Sequence, residues 1–141
     1  MLQPVGQLSA FRVTAASYSG VTVFHLQGEL DAVTAAELRL ELAGGVGRPT
    51  VLLDMTGVDF IDSIGLGALL GAIRRIHEGN GAVAIAGPGP GVHQVLRAAG
   101  VDRLAFLASS PIEASEWLRR VEGATVGVPI QRGTALDPGG L

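Results

Sequence analysis

The residues in this chain that could do chemistry are serines placed ahead of helices, three histidines, and the aspartates near them. Ser63 stands out. It follows Asp62 and directly precedes an apolar run in which Leu66, Leu69, Leu70, Ile73 and Ile76 recur at helical spacing. A serine there reads as a helix N-cap, its hydroxyl satisfying a free backbone N–H of the first turn. The same position suits phosphorylation, because a helix start carries positive partial charge and would receive the added charge of about −2 without unfolding. Asp62 reads either as a solvated loop carboxylate or as part of what recognises the neighbouring serine. Gly67 and Gly71, four and eight residues beyond Ser63, leave one helix face low and bare. They serve either close helix packing within the domain or a flat surface for another protein's backbone.

Hydrolysis at Ser63 would need a base and an orienting acid. The candidate bases are His25, His77 and His93. His25 lies within a strand pattern, and His77 falls at the far end of the helix that Ser63 begins, about 20 Å away at 1.5 Å per residue. The nucleophile-elbow pattern G-x-S-x-G is absent, since Ile61 stands two residues before Ser63. No HExxH spacing exists, and with no cysteine there is no thiol nucleophile, thiolate metal site or disulfide. Gly87-Pro88-Gly89-Pro90-Gly91 follows a strand and precedes a helix as a phosphate loop would. It lacks the Walker lysine, and its prolines remove N–H donors, so it reads as a rigid turn. The chain is expected not to be an enzyme and to use no cofactor or metal.

The elements that must position Ser63 can be read around it. A strand over Ala10–Ala16, a turn at Tyr18–Gly20 and a strand over Val21–Gln27 suggest a hairpin. Asp31 and Thr34 are both N-cap candidates for the next helix, with Thr34-x-x-Glu37 as a capping box, and Gly44-Gly45 stops it. Thr50–Asp54 is a short apolar run that fits a strand buried on both faces, followed by a loop and the helix over Ile64–Glu78. Ala82–Ala86 is another buried strand. Pro90 opens a short helix that Gly100 ends, Arg103–Leu107 is a last strand, and Ser110-Pro111-Ile112-Glu113 starts a last helix. The order ββαβαβαβα implies one α/β domain with a mixed, mostly parallel sheet and about four helices. Residues 1–9 read as a loose lead-in, 10–121 as the domain and 122–141 as a mobile tail without periodicity.

Composition narrows the function. The chain has 141 residues, of which 48% are hydrophobic and 16% charged, so it can build a real core. Net charge is −3, there is no lysine, and the ten basic residues are arginines without a basic stripe, which argues against nucleic acid. No stretch is apolar and long enough to span a bilayer, and the N-terminus lacks a signal-peptide pattern. A cytoplasmic protein with no direct membrane insertion is expected.

Two motifs then carry a resemblance. Asp62-Ser63-Ile64-Gly65-Leu66-Gly67 resembles the phosphorylation-site motif of STAS domains, in particular the bacterial anti-sigma-factor antagonists, whose hallmark is Asp-Ser, a variable residue, then Gly-Leu-Gly. Gly28-Glu29-Leu30-Asp31 resembles the family's Gly-Glu-Leu-Asp signature after the second strand. The spacing of the two motifs and the order of elements agree, so the resemblance covers about residues 10–121. It implies a STAS-like domain that binds an anti-sigma factor and frees the sigma factor. The anti-sigma factor is often also a serine kinase of the histidine-kinase-like ATPase type, and a phosphatase reverses its action. Ser63 would be the phosphoacceptor, and Asp31, Asp62, Ser63, Ile64, Gly65, Gly67 and Gly71 the partner-binding surface. Many members have Ser or Thr where this chain has Ile64, so Ser63 alone would carry the switch. STAS domains also occur in stress-sensing assemblies and beside anion or lipid transporters; those alternatives predict no dependence on Ser63.

Overall fold

The chain opens on a hairpin. In the computed structural model, which describes residues 11–127, β1 (Phe11–Tyr18) and β2 (Val21–Leu30) pair antiparallel from Tyr18↔Val21 to Phe11↔Gly28 around a two-residue turn. The expected lead-in 1–9 and the tail beyond residue 127 lie outside the described residues.

From β2 onward every connection is a crossover. Helix α1 (Ala35–Leu42) leads to β3 (Thr50–Ile61), α2 (Ser63–Glu78) to β4 (Ala82–Ala86), and α3 (Pro90–Ala98) to β5 (Phe106–Ala108). The five-stranded sheet keeps chain order, β1-β2-β3-β4-β5, and all pairs after the first are parallel. Crossovers of one hand advancing in one direction place their helices on one face. Accordingly Leu38 and Leu42 of α1, Leu69 and Ile73 of α2, and Val92 and Leu96 of α3 share one buried core with Phe24, Leu26, Leu53 and Ile85 of the sheet. The last helix, α4 (Pro111–Gly127), covers the opposite face, where Ala114 and Leu118 pack on Val23, Leu52, Ala84 and Ala108 and Trp117 stacks on Phe106 at 4.9 Å. The order ββαβαβαβα, the mixed sheet and the four α-helices match the reading of the sequence.

Several details differ from it. β3 continues through the segment expected to be a loop after Asp54, because Gly57–Ile61 pairs with Gln27–Leu30 across two register shifts. This β2–β3 ribbon projects past the end of β4, whose last pairing is Asp54↔Ala86. The last strand starts at Phe106, three residues later than expected, since Val101–Arg103 forms a 3-10 turn closed by Leu104 N–H and Ala105 N–H on the Val101 carbonyl. α4 runs six residues beyond the expected domain end at 121, as no proline interrupts it before Pro129. The box expected at Thr34 and Glu37 does not form, because the Thr34 hydroxyl turns back to the Glu29 carbonyl at 2.8 Å. The start of α4 does follow the sequence. Ser110 Oγ accepts from Glu113 N–H, while the Glu113 carboxylate accepts from the backbone and hydroxyl of Ser109.

Candidate functional site

The projecting ribbon ends where the two sequence motifs meet. Leu30 and Ile61 pair at its tip, Asp31 and Asp62 follow them, and Asp62 N–H donates to the Leu30 carbonyl at 3.0 Å. Gly28 has φ +105°, beside the second register shift, a conformation that favours glycine. Gly65 lies directly on the strand end: a Cβ there would come 2.1 Å from the Leu30 oxygen. Any larger residue would push the first turn of α2 off β2. Gly65 is therefore buried and works inside the fold.

The N-cap of α2 is Asp62, not Ser63 as the sequence suggested. Asp62 Oδ1 accepts from Ile64 N–H at 2.9 Å and Gly65 N–H at 2.8 Å. Aspartate and serine are comparable caps, and here the aspartate takes the position. Ser63 becomes the first helical residue. It is exposed, and its hydroxyl has no hydrogen-bond partner among the described residues. The N–H groups that could have received a phosphate are already held by Asp62, so a phosphate on Ser63 would meet a carboxylate at the helix start rather than two free donors.

Asp31 repeats the arrangement. Its Oδ1 accepts from Val33 N–H at 3.0 Å and Thr34 N–H at 3.1 Å, capping the turn before α1. Thr34 Oγ1 locks that turn by accepting from Asp31 N–H. Neither Asp31 Oδ2 nor Asp62 Oδ2 has a partner among the described residues. Each carboxylate thus holds the backbone with one oxygen and leaves the other without a partner among the described residues.

Around this centre the surface is apolar and low. Ile64 is 53% exposed, and Val33, in the turn that Asp31 caps, is 85% exposed. A Cβ added at Gly67 or Gly71 would meet nothing within 4 Å. Packing inside the domain therefore does not explain these two glycines. The sequence reading missed Val33; its only signal was an apolar residue inside a turn, next to Gly-Glu-Leu-Asp.

The histidines stand elsewhere. His25 Nδ1 is 2.8 Å from Asp54 Oδ2, on the sheet face that α4 partly covers, and Thr56 Oγ1 donates to Asp54 Oδ1 at 2.7 Å. Burial pushes the Asp54 carboxyl up, but the hydrogen bonds from Thr56 and His25 outweigh it and hold the group below its ordinary value. His77 lies late in α2 and His93 in α3, and neither bonds to Ser63. Among the described residues, no cluster of side chains could hold a metal ion and no helix is long and apolar enough to cross a membrane.

The profile of the STAS domain matches residues 12–116. The chain belongs to the STAS family. Among its relatives it is 28% identical over 100 residues to an anti-sigma F factor antagonist of Paenibacillus polymyxa, covering 69% of this chain and 86% of that one. It is 37% identical over 68 residues to the anti-sigma-F factor antagonist RsfB of Mycobacterium tuberculosis, covering 47% of this chain and 56% of RsfB. Its fold is similar to the crystal structure of an anti-sigma factor antagonist from Mycobacterium paratuberculosis, with a TM-score of 0.71 at 24% identity, covering 79% of this chain and 96% of that one. In this STAS chain the two motifs singled out in the sequence meet at the Leu30–Ile61 pair.

Proposed function

We propose that this STAS protein is an anti-sigma-factor antagonist. It binds an anti-sigma factor through the surface around Ser63 and so releases a sigma factor, and phosphorylation of Ser63 ends the binding. The observation that carries this reading is the state of the Ser63 hydroxyl: exposed, without a hydrogen bond among the described residues, and set at the start of α2 next to Asp62, near two carboxylates that each have one oxygen without a partner among the described residues. The names of the relatives in Paenibacillus and Mycobacterium support the antagonist role.

The physics of the switch follows from this placement. With Ile64 and Gly65 N–H groups committed to Asp62, a phosphate on Ser63 gains no internal donors from them and stays at the surface as added charge. In a close-packed interface such a dianion brings repulsion and a desolvation cost, without requiring the fold to change. Asp31, Asp62, Ile64, Gly67 and Gly71 form the contact surface, and Gly65 positions it. The partner, or a protein bound with it, is a serine kinase of the histidine-kinase-like ATPase type, and a phosphatase resets the cycle. The setting is the cytoplasm, and neither nucleic acid nor membrane is contacted directly.

A pull-down with wild type, Ser63→Ala and Ser63→Glu as baits tests the reading. An anti-sigma factor retained by the first two and lost by the third supports it. Retention of the same proteins by all three makes Ser63 a residue of the helix start and nothing more.

A further inference from the structure

α1 and α2 lie side by side on one face of the sheet, and a groove runs between them. Its floor is Gly67, Ala68 and Gly71 of α2; its walls are Arg39 of α1, Val46 just beyond α1, and Arg75 of α2. The floor is low because side chains are missing at Gly67 and Gly71, where a Cβ would stand in open space. Glycine is among the poorest helix formers, so two in a helix interior, each with open space where a Cβ would stand, cost stability without any return inside the domain. Val46 adds an apolar wall, 46% exposed.

Charge marks the groove further. Arg39 and Arg75 have neither an ion pair nor a hydrogen bond among the described residues, although the chain is net acidic. Asp31 and Asp62 stand at the Ser63 end of α2, each with one carboxylate oxygen that has no partner among the described residues. Ser63, Gly67, Gly71 and Arg75 follow one another at four-residue intervals along α2, so this row spans about 18 Å. The Ser63 end of this row thus carries two carboxylates, while the groove lining beyond it carries Arg39 and Arg75 and no acidic residue.

We propose that this groove receives an α-helix of the same protein that reads Ser63, and that this helix presents an acidic side chain between Arg39 and Arg75. The proposal deepens the Ser63 reading and rests on it for the identity of the partner. A backbone without large side chains beneath it lets a second helix approach closely, as small residues four apart do at helix contacts. The two unpaired guanidiniums supply the complement to carboxylates, with bidentate geometry available to each. The opposite polarity of the two ends fixes which way the incoming helix runs.

Two arms test this. In the first, a displayed library of single helices of about 20 residues, randomised along one face, is selected on the full chain. Enriched helices are expected to carry Asp or Glu, and to lose about tenfold or more in affinity toward Arg39→Glu/Arg75→Glu and toward Gly71→Leu. Failure to enrich any helix, enrichment without acidic residues, or unchanged binding to these variants overturns the proposal. In the second, the protein retained by the Ser63→Ala bait is titrated against the double arginine variant, whose folding is checked by circular dichroism. Loss of binding, restored by reversing one acidic residue of the partner to lysine, supports the proposal. Retention that depends on Ser63 but not on the arginines removes the groove and leaves the Ser63 reading intact. Acidic helices selected as expected, with no protein that distinguishes the Ser63 variants, leaves the groove and removes the Ser63 reading.

Discussion

Gly65 and Leu30 stand so close that a single added methyl group on Gly65 would overlap the Leu30 carbonyl, 2.1 Å from its oxygen. This contact joins the two halves of the candidate site. It seats the first turn of α2 on the end of β2, and with it sets Ser63 and Asp62 beside Asp31. Nothing flexible lies on the other side to relieve the overlap, because the neighbouring atoms are backbone.

Gly65→Ala is therefore expected to destabilise the fold by about 1–3 kcal/mol through overpacking. Urea unfolding followed by circular dichroism measures it. A change within about 0.5 kcal/mol would show that the α2 start can shift freely, and the argument for a fixed Ser63 would fail.

Gly67→Ala and Gly71→Ala should do the reverse. Each sits in a helix with open space where a Cβ would go, so each should raise stability by up to about 1 kcal/mol. Both should weaken partner binding if the bare face is a docking surface. Greater stability together with unchanged binding would remove these glycines from the interface.

Asp31 and Asp62 are expected to act in two capacities. Replacement of either by Ala removes an oxygen that accepts two backbone N–H groups, at a cost of about 0.5–2 kcal/mol. Thermal melts of the single variants check this. Asp→Asn at the same positions keeps a capping oxygen and loses the charge, so it should preserve most of the stability while altering affinity for the partner. An affinity that Asn leaves untouched would make the two aspartates caps alone.

How far the sequence revealed this arrangement depended on where each signal lay. β2, β4 and α2 were legible because their apolar patterns are local and uninterrupted, and Gly79 and Asn80 mark the end of α2. The second half of β3 was not, since Thr56, Gly57 and Asp59 interrupt its apolar residues and look like a loop, and what makes it a strand is pairing with residues about 30 positions earlier. The first residues of the strand expected over Arg103–Leu107 are taken up by the 3-10 turn Val101–Arg103 and its closing bonds, so the strand begins only at Phe106. The cap of α2 fell one residue from its expected place because Asp62 and Ser63 both suit that role, and only the hydrogen bonds separate them. The two motifs were visible as residue types; that Gly65 is the hinge between them required the approach of two backbones far apart in sequence.

Asp54 gives the fold an acid limit. Its pKa lies below the ordinary 3.8, so the contribution of its bonds to His25 and Thr56 is complete above that value and disappears as pH falls through the folded-state pKa. The difference in melting temperature between wild type and Asp54→Asn should therefore be full above about pH 4 and shrink as pH falls further. A difference that stays constant across this range would mean that the charge of Asp54 contributes nothing.

The most direct test of the account is the affinity of the retained anti-sigma factor for this protein with Ser63 unmodified and with phosphoserine installed at position 63. Isothermal titration should show a loss of about 10–100-fold on phosphorylation, with unchanged circular dichroism. Equal affinity of the two forms would contradict the account, because the exposed hydroxyl of Ser63 would then control nothing.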